Sequence, residues 1–164
     1  MLWLLAPVIL VVAFGAGLRL YLGRAAEDRL SPGERIVIGE LRPPLPANAF
    51  LACPPGYCAV AGAVASPVFD IPWERLAEYW ARMIAAEPRV TGIAAEPGGR
   101  RLFAIQRSWL LGFPDIVGVE FVALGPGRSS LAVHSRARYG SRDFGVNRKR
   151  VERWLAELQR LAGG

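Results

Sequence analysis

The first eighteen residues, MLWLLAPVILVVAFGAGL, carry no charged side chain, and this run limits what the rest of the chain can be. RLYLG at 19–23 extends it past one arginine and places Tyr21, an interface-type residue, near its end. Such a stretch approaches the roughly 20 apolar residues that a helix needs to cross a bilayer. No basic segment precedes it, as one would in a signal peptide. Residues 1–23 are therefore expected to form a transmembrane anchor, and 24–44 a linker with a short strand at RIVIGEL. About 120 residues remain, enough for one small domain with a single core; its expected span is 45–162. Arg19, Arg24 and Arg29 follow the apolar run, and the positive-inside tendency alone points that domain toward the cytoplasm.

The two cysteines bear on the same question. Cys53 and Cys58 sit in CPPGYC, where Pro54, Pro55 and Gly56 bend the chain between them. A small disulfide loop, two buried thiols and a reactive Cys53 are all compatible with this spacing; a disulfide would require an oxidising compartment. Four intervening residues do not make a CxxC redox motif, and no clustered histidine suggests zinc. The net charge of +6 suits attraction to anionic lipid or nucleic acid without requiring either.

Periodicity supplies the fold. Trp73, Leu76, Trp80, Met83 and Ile84 recur at helical spacing up to Pro88, with Asp70 as the expected N-cap and the aromatics expected to fill the core. Strand patterns follow at about 89–95, 101–109, 116–124 and 129–138, with turn sequences at Pro97–Arg100 and Gly125–Arg128. Val151, Trp154, Leu155, Leu158 and Leu161 mark a last helix. The expected fold is α+β, a two-layer sandwich of a four-stranded antiparallel sheet flanked by two helices and preceded by the transmembrane helix. Ala132, His134, Arg136 and Arg138 share one strand face, which is expected to be open. Trp109, Leu110, Leu111 and Phe113 make the connection between the second and third strands unusually apolar, suited to touching a bilayer, covering a ligand or folding back on the core.

YGSRDFGVNRKRVERWLAEL at 139–158 runs from a glycine-broken turn into the last helix. Arg148, Lys149 and Arg150 oppose the helix dipole in its first turn, where free N–H groups and cations together seat an anion. That anion is a phosphate head group, an acidic partner, or a carboxylate of the same domain such as Asp143; the alternative is that the arginines lie over aromatic core residues and pair internally. Asp143 or Asn147 is expected to cap the helix.

The segment SRARYGSRDFGVNRKRVERWLAEL, with NAFLACPPGYC ahead of it, resembles the bacterial and plastid family catalogued as domain of unknown function 1499. The matching positions are Cys53, Pro54, Cys58, Ser135, Arg136, Arg138, Gly140, Asp143, Gly145, Asn147, Arg148 and Arg150. Arg142 stands where the family usually has serine, and Tyr57 and Ala59 depart from its first motif. The resemblance spans about residues 45–160. It implies a membrane-anchored or exported protein, and so favours a Cys53–Cys58 disulfide and a periplasmic domain on a bacterial inner membrane over the cytoplasmic placement.

No phosphate loop, metalloprotease motif or serine elbow is present, and no cofactor or metal is expected. The expected function is a membrane-tethered accessory or binding domain. It engages anionic lipid head groups or a membrane protein through Arg136, Arg138, Asn147, Arg148 and Arg150, shaped by Gly140, Asp143 and Gly145. The anchor argues against nucleic acid. The alternative is a small hydrolase-like or thiol-dependent enzyme that pairs Cys53 with His134.

Overall fold

A computed structural model describes residues 7, 10, 11, 13–17, 29–60, 63–109 and 112–163. In chain order the elements are β1 (Ala49–Cys53), β2 (Val64–Ala65), α1 (Trp73–Ala86), β3 (Val90–Ala95), β4 (Arg101–Arg107), β5 (Pro114–Gly125), β6 (Arg128–Ala137) and α2 (Val146–Ala162). The strands form one six-stranded sheet ordered β2-β1-β6-β5-β4-β3. β1 and β2 pair in parallel, and every other neighbour is antiparallel. This corrects the expected four-stranded antiparallel sheet. The four expected strands are β3 to β6; the other two come from the proline-rich stretch and the small apolar stretch after it.

The expected membrane-crossing helix is a second correction. Among the described residues no helix is long and apolar enough to cross a membrane. Within 1–23, residues 7, 10, 11 and 13–17 are described and helical, and Leu10, Val11 and Phe14 lie exposed. The rest of that expected span, and 24–28 of the linker, fall outside the described residues. RIVIGEL forms no strand either; Ile38–Glu40 is a single 3-10 turn.

β5 and β6 form the long central hairpin, and most of both strands is buried on two faces. One face presents Val117, Val119, Phe121, Leu131 and Val133 to Leu76, Trp80, Met83 and Ile84 of α1 and to Val151, Trp154, Leu155 and Leu158 of α2. Trp80 and Trp154 meet edge to face there, ring centroids 5.8 Å apart, so these aromatics are core as expected. α1 begins at Trp73 with Pro72, not Asp70, in the cap position.

The other face was expected to be open, and it is covered. Ile38, Val60 and Cys53 pack with Leu51 and Ala132, supported by Leu41, Leu45, Cys58 and Ala63. A third layer, the meander leading into and out of β1, therefore lies over the sheet. Gly118 permits the approach: a Cβ there would lie 3.1 Å from the Phe103 ring and 3.9 Å from Ile38. Charged groups sew the layer down. Glu120, buried within β5, accepts hydrogen bonds from the backbone N–H of Ile38 at 2.7 Å and of Gly39 at 3.2 Å, and from the Tyr57 hydroxyl at 2.8 Å. Burial, helped by this carboxylate, pushes the Tyr57 hydroxyl up to about 12.

Candidate functional site

β6 delivers the chain to the start of α2 through residues 138–145, and the C-terminal signature folds around that corner. Asn147, fully buried, is its hub. Its Oδ1 accepts from Ser135 Oγ and from Arg150 Nη1, both at 2.5 Å, and its Nδ2 donates to the Asn48 carbonyl at 3.1 Å. Arg150 also donates to Ser135 Oγ at 3.0 Å and to Asp115 Oδ2 at 2.5 Å. The Arg150 and Asp115 side chains are each only 7% exposed. Burial pushes the Asp115 carboxyl above its ordinary range, and the Arg150 guanidinium only partly offsets this. Asn48 closes the corner by donating to the Gly140 carbonyl at 2.6 Å.

The anion expected at the helix start is supplied by the chain itself. Asp143 accepts from the backbone N–H of Gly145 at 3.1 Å and of Asn147 at 2.8 Å. Burial works to raise the Asp143 carboxyl, but the N–H groups of Asn147 and Gly145 hold it below the usual carboxylate range. It therefore caps α2 and complements the dipole that Arg148, Lys149 and Arg150 oppose. Gly140 and Gly145 both have left-handed φ, 83° and 78°, as the turn requires.

Of the other signature cations, Arg138 holds Glu34 through bonds of 2.6 and 2.8 Å and donates to the Arg29 carbonyl at 3.0 Å, pinning the N-terminal meander to the sheet end. Arg136 is half-buried, on the covered face beside His134. Arg148 is exposed, pairs with Glu152 at 2.9 Å and lies over the Phe50 ring. The five residues read from the sequence thus divide: Asn147, Arg150 and Arg138 face inward partners, Arg136 lies under the meander, and Arg148 alone is on the open surface.

Different side chains occupy the surface at this corner. Phe144 is 91% exposed and Trp109 70%, with Tyr139 and Val146 also exposed. Phe144, Tyr139 and Val146 line, with Phe113, Ala137 and Arg142, a concavity of about 520 Å3 floored by Asp115. A second concavity, about 470 Å3, adjoins it across Ser108 and Val146 and is lined by Arg89, Arg107, Trp109 and Lys149. Two hydrogen bonds join the described ends of the loop between β4 and β5. Ser108 Oγ accepts from Phe113 N–H at 3.0 Å, and Arg107 Nη1 donates to the Gly112 carbonyl at 2.9 Å. Trp109 lies exposed beside them; Leu110 and Leu111 lie outside the described residues. Among the described residues, only Arg89 (φ 62°) and Phe144 (φ 53°) adopt left-handed backbone without being glycine. Both sit at these two concavities. Such strain costs about 1–3 kcal/mol per residue and collects at functional sites.

The groups of the enzymatic alternative lie elsewhere. Cys53 and Cys58 are joined in a disulfide, Cα atoms 6.2 Å apart. His134 is buried beneath the meander, and burial, reinforced by Arg136, lowers its pKa to about 4, keeping the ring neutral.

Sequence reasoning passed over Asn48, Asp115, Glu34 and Glu120, which complete these networks. Asp115 and Glu120 had a signal: each is an acid inside the apolar run PDIVGVEFVALG, and a buried carboxylate demands a partner. Phe144 had none, because an aromatic residue in a sequence reads first as core. A family model described as protein of unknown function, DUF1499, matches residues 66–158. No curated protein matches the chain.

Proposed function

The chain belongs to the DUF1499 family, and from that premise we propose that its domain is a binding module that docks on anionic lipid head groups through the corner between the β4–β5 loop and the start of α2. One observation carries the reading. Two strained backbone positions, Phe144 and Arg89, present an aromatic ring and a cation at adjoining concavities, beside an outward Trp109. Exposed aromatics settle at the polar–apolar boundary of a bilayer, and nearby cations are attracted to its anionic surface. The contact cations are Arg142 and Lys149, which are exposed and have no ion-pair partner among the described residues. The buried signature residues hold the corner in shape.

The disulfide fits an oxidising compartment, so we place the domain on the exported side of a membrane. It also commits the thiol that the enzymatic alternative needs free, which favours binding over catalysis.

The test is co-sedimentation of the full-length chain with phosphatidylcholine vesicles, with and without phosphatidylglycerol. The quantity read is the preference for the anionic vesicles, so that any binding common to both compositions cancels. Arg142→Gln with Lys149→Gln should reduce that preference roughly 30-fold, at about 1 kcal/mol per surface cation. Trp109→Ala with Phe144→Ala should weaken binding to both. An unchanged preference in the charge variant would refute lipid docking and leave a protein as the partner.

A further inference from the structure

The geometry points to a binding site for a single anionic amphiphile: an alkyl chain in the concavity beside α2 and a carboxylate or phosphate head at the cations on its rim. This rests on the docking reading and goes further, since a flat membrane contact needs no cavity.

The concavity has the volume of a small-molecule site, within the roughly 300–1,000 Å3 typical of them. Its walls are the side chains of Phe113, Ala137, Tyr139, Phe144 and Val146. Its two carboxylates are already committed, Asp115 to Arg150 and Asp143 to the first N–H groups of α2. Arg150 offsets the charge of Asp115, and the positive end of α2 opposes that of Asp143. Arg142 stands on the same wall, and Lys149 and Arg89 lie across the shared boundary of Ser108 and Val146. An apolar hollow with cations to one side complements a molecule with an alkyl chain and an anionic head. The strained Phe144 ring stands at its mouth, where it would cover such a chain.

The source of the amphiphile is either a free fatty acid or a phospholipid drawn from the bilayer, and the experiment separates them. The full-length chain is titrated with octanoate, decanoate and dodecanoate below their micellar concentrations, with the matching alcohols, and with lysophosphatidylglycerol. Native mass spectrometry and the difference in tryptophan emission between the wild type and Trp109→Phe report binding. Saturable binding of one molecule per chain is expected. It should tighten about fourfold per added methylene until the cavity is full, with alcohols weaker than carboxylates. Carboxylates binding better than the lysolipid identify a fatty-acid site; the reverse identifies a phospholipid site.

Ala137→Leu narrows the cavity without touching the rim. It should weaken the longer chains at least tenfold while the preference for anionic vesicles persists. A melting transition near that of the wild type shows that this variant is folded. The chain-length series on the wild type does not depend on the variant at all. Absence of saturable binding, or affinity indifferent to both chain length and Ala137→Leu, overturns the inference. If anionic vesicles still bind in that case, surface docking stands alone; if they do not, both readings fall.

Discussion

Replacing Arg150 with alanine should be among the most damaging single changes in the domain, although the residue lies in a run of three basic side chains that looks like solvated surface. The guanidinium donates to Asp115, Asn147 and Ser135 in a pocket that leaves its side chain 7% exposed. Without it, Asn147 Oδ1 keeps the Ser135 hydroxyl as a donor, so the orphaned group is Asp115. Stranding one member of a buried pair costs about 3–5 kcal/mol, a large share of the roughly 5–15 kcal/mol that stabilises a domain. For a chain of this size that corresponds to a fall of about 6–20 °C in Tm. The sign of the pH dependence follows from burial. Asp115 already titrates above its ordinary value of 3.8 because it is desolvated, and losing Arg150 removes the attraction that partly offsets this. A carboxyl with a raised folded pKa favours folding below its unfolded pKa, and that contribution is lost as pH rises through the folded value. The deficit of Arg150→Ala should therefore be largest near neutrality and shrink toward pH 4. Urea unfolding of wild type and variant across that range measures it. Asp115→Asn combined with Arg150→Met should recover most of the loss, because both charges leave together. A deficit under about 1 kcal/mol at neutral pH would refute the scaffold role. So would a normal melt with anionic-vesicle preference abolished, which would make Arg150 a contact residue.

Two further outcomes follow from the same corner. Asp143→Ala should cost about 0.5–2 kcal/mol at neutral pH by uncapping α2; since the folded carboxyl is depressed, the wild type's advantage should disappear as pH falls below about 4, and a difference that persists in acid would show that the side chain acts by packing. Phe144→Gly should raise stability by about 0.5–1 kcal/mol, relief of left-handed strain outweighing the added freedom of the unfolded chain, while vesicle binding weakens; a loss of stability in thermal melts would mean that the ring is held by the fold.

The helices and β3 to β6 were legible because each repeats a local period, and the turns between them are written in glycine and proline. β1 was not. AFLAC is five residues long between Pro46 and Pro54, and its partner β6 lies some eighty residues further on. RIVIGEL carries β-branched residues, yet the N–H groups of Ile38 and Gly39 go to the Glu120 carboxylate, so a distant side chain replaced the strand neighbour. The signature was legible as one corner of the fold but not in its parts. Charge is visible in a sequence, whereas the acids that turn Arg138 and Arg150 inward, Glu34 and Asp115, sit far away along the chain. Arg142, Arg148 and Lys149 lie exposed in the same stretch, and charge alone does not tell them from Arg138 and Arg150.

The segment matched to the family begins at residue 66, but the folding unit does not. A fragment cut there would lack β1 and β2 and leave β6 unpaired from Val133 to Arg136, an edge open to pairing with another chain. It would also uncover Phe103 and Ala132, which lie beneath the meander. The boundary set by cooperativity lies at or before Arg29, whose carbonyl and the nearby Glu34 carboxylate are gripped by Arg138 at the opposite end of the domain.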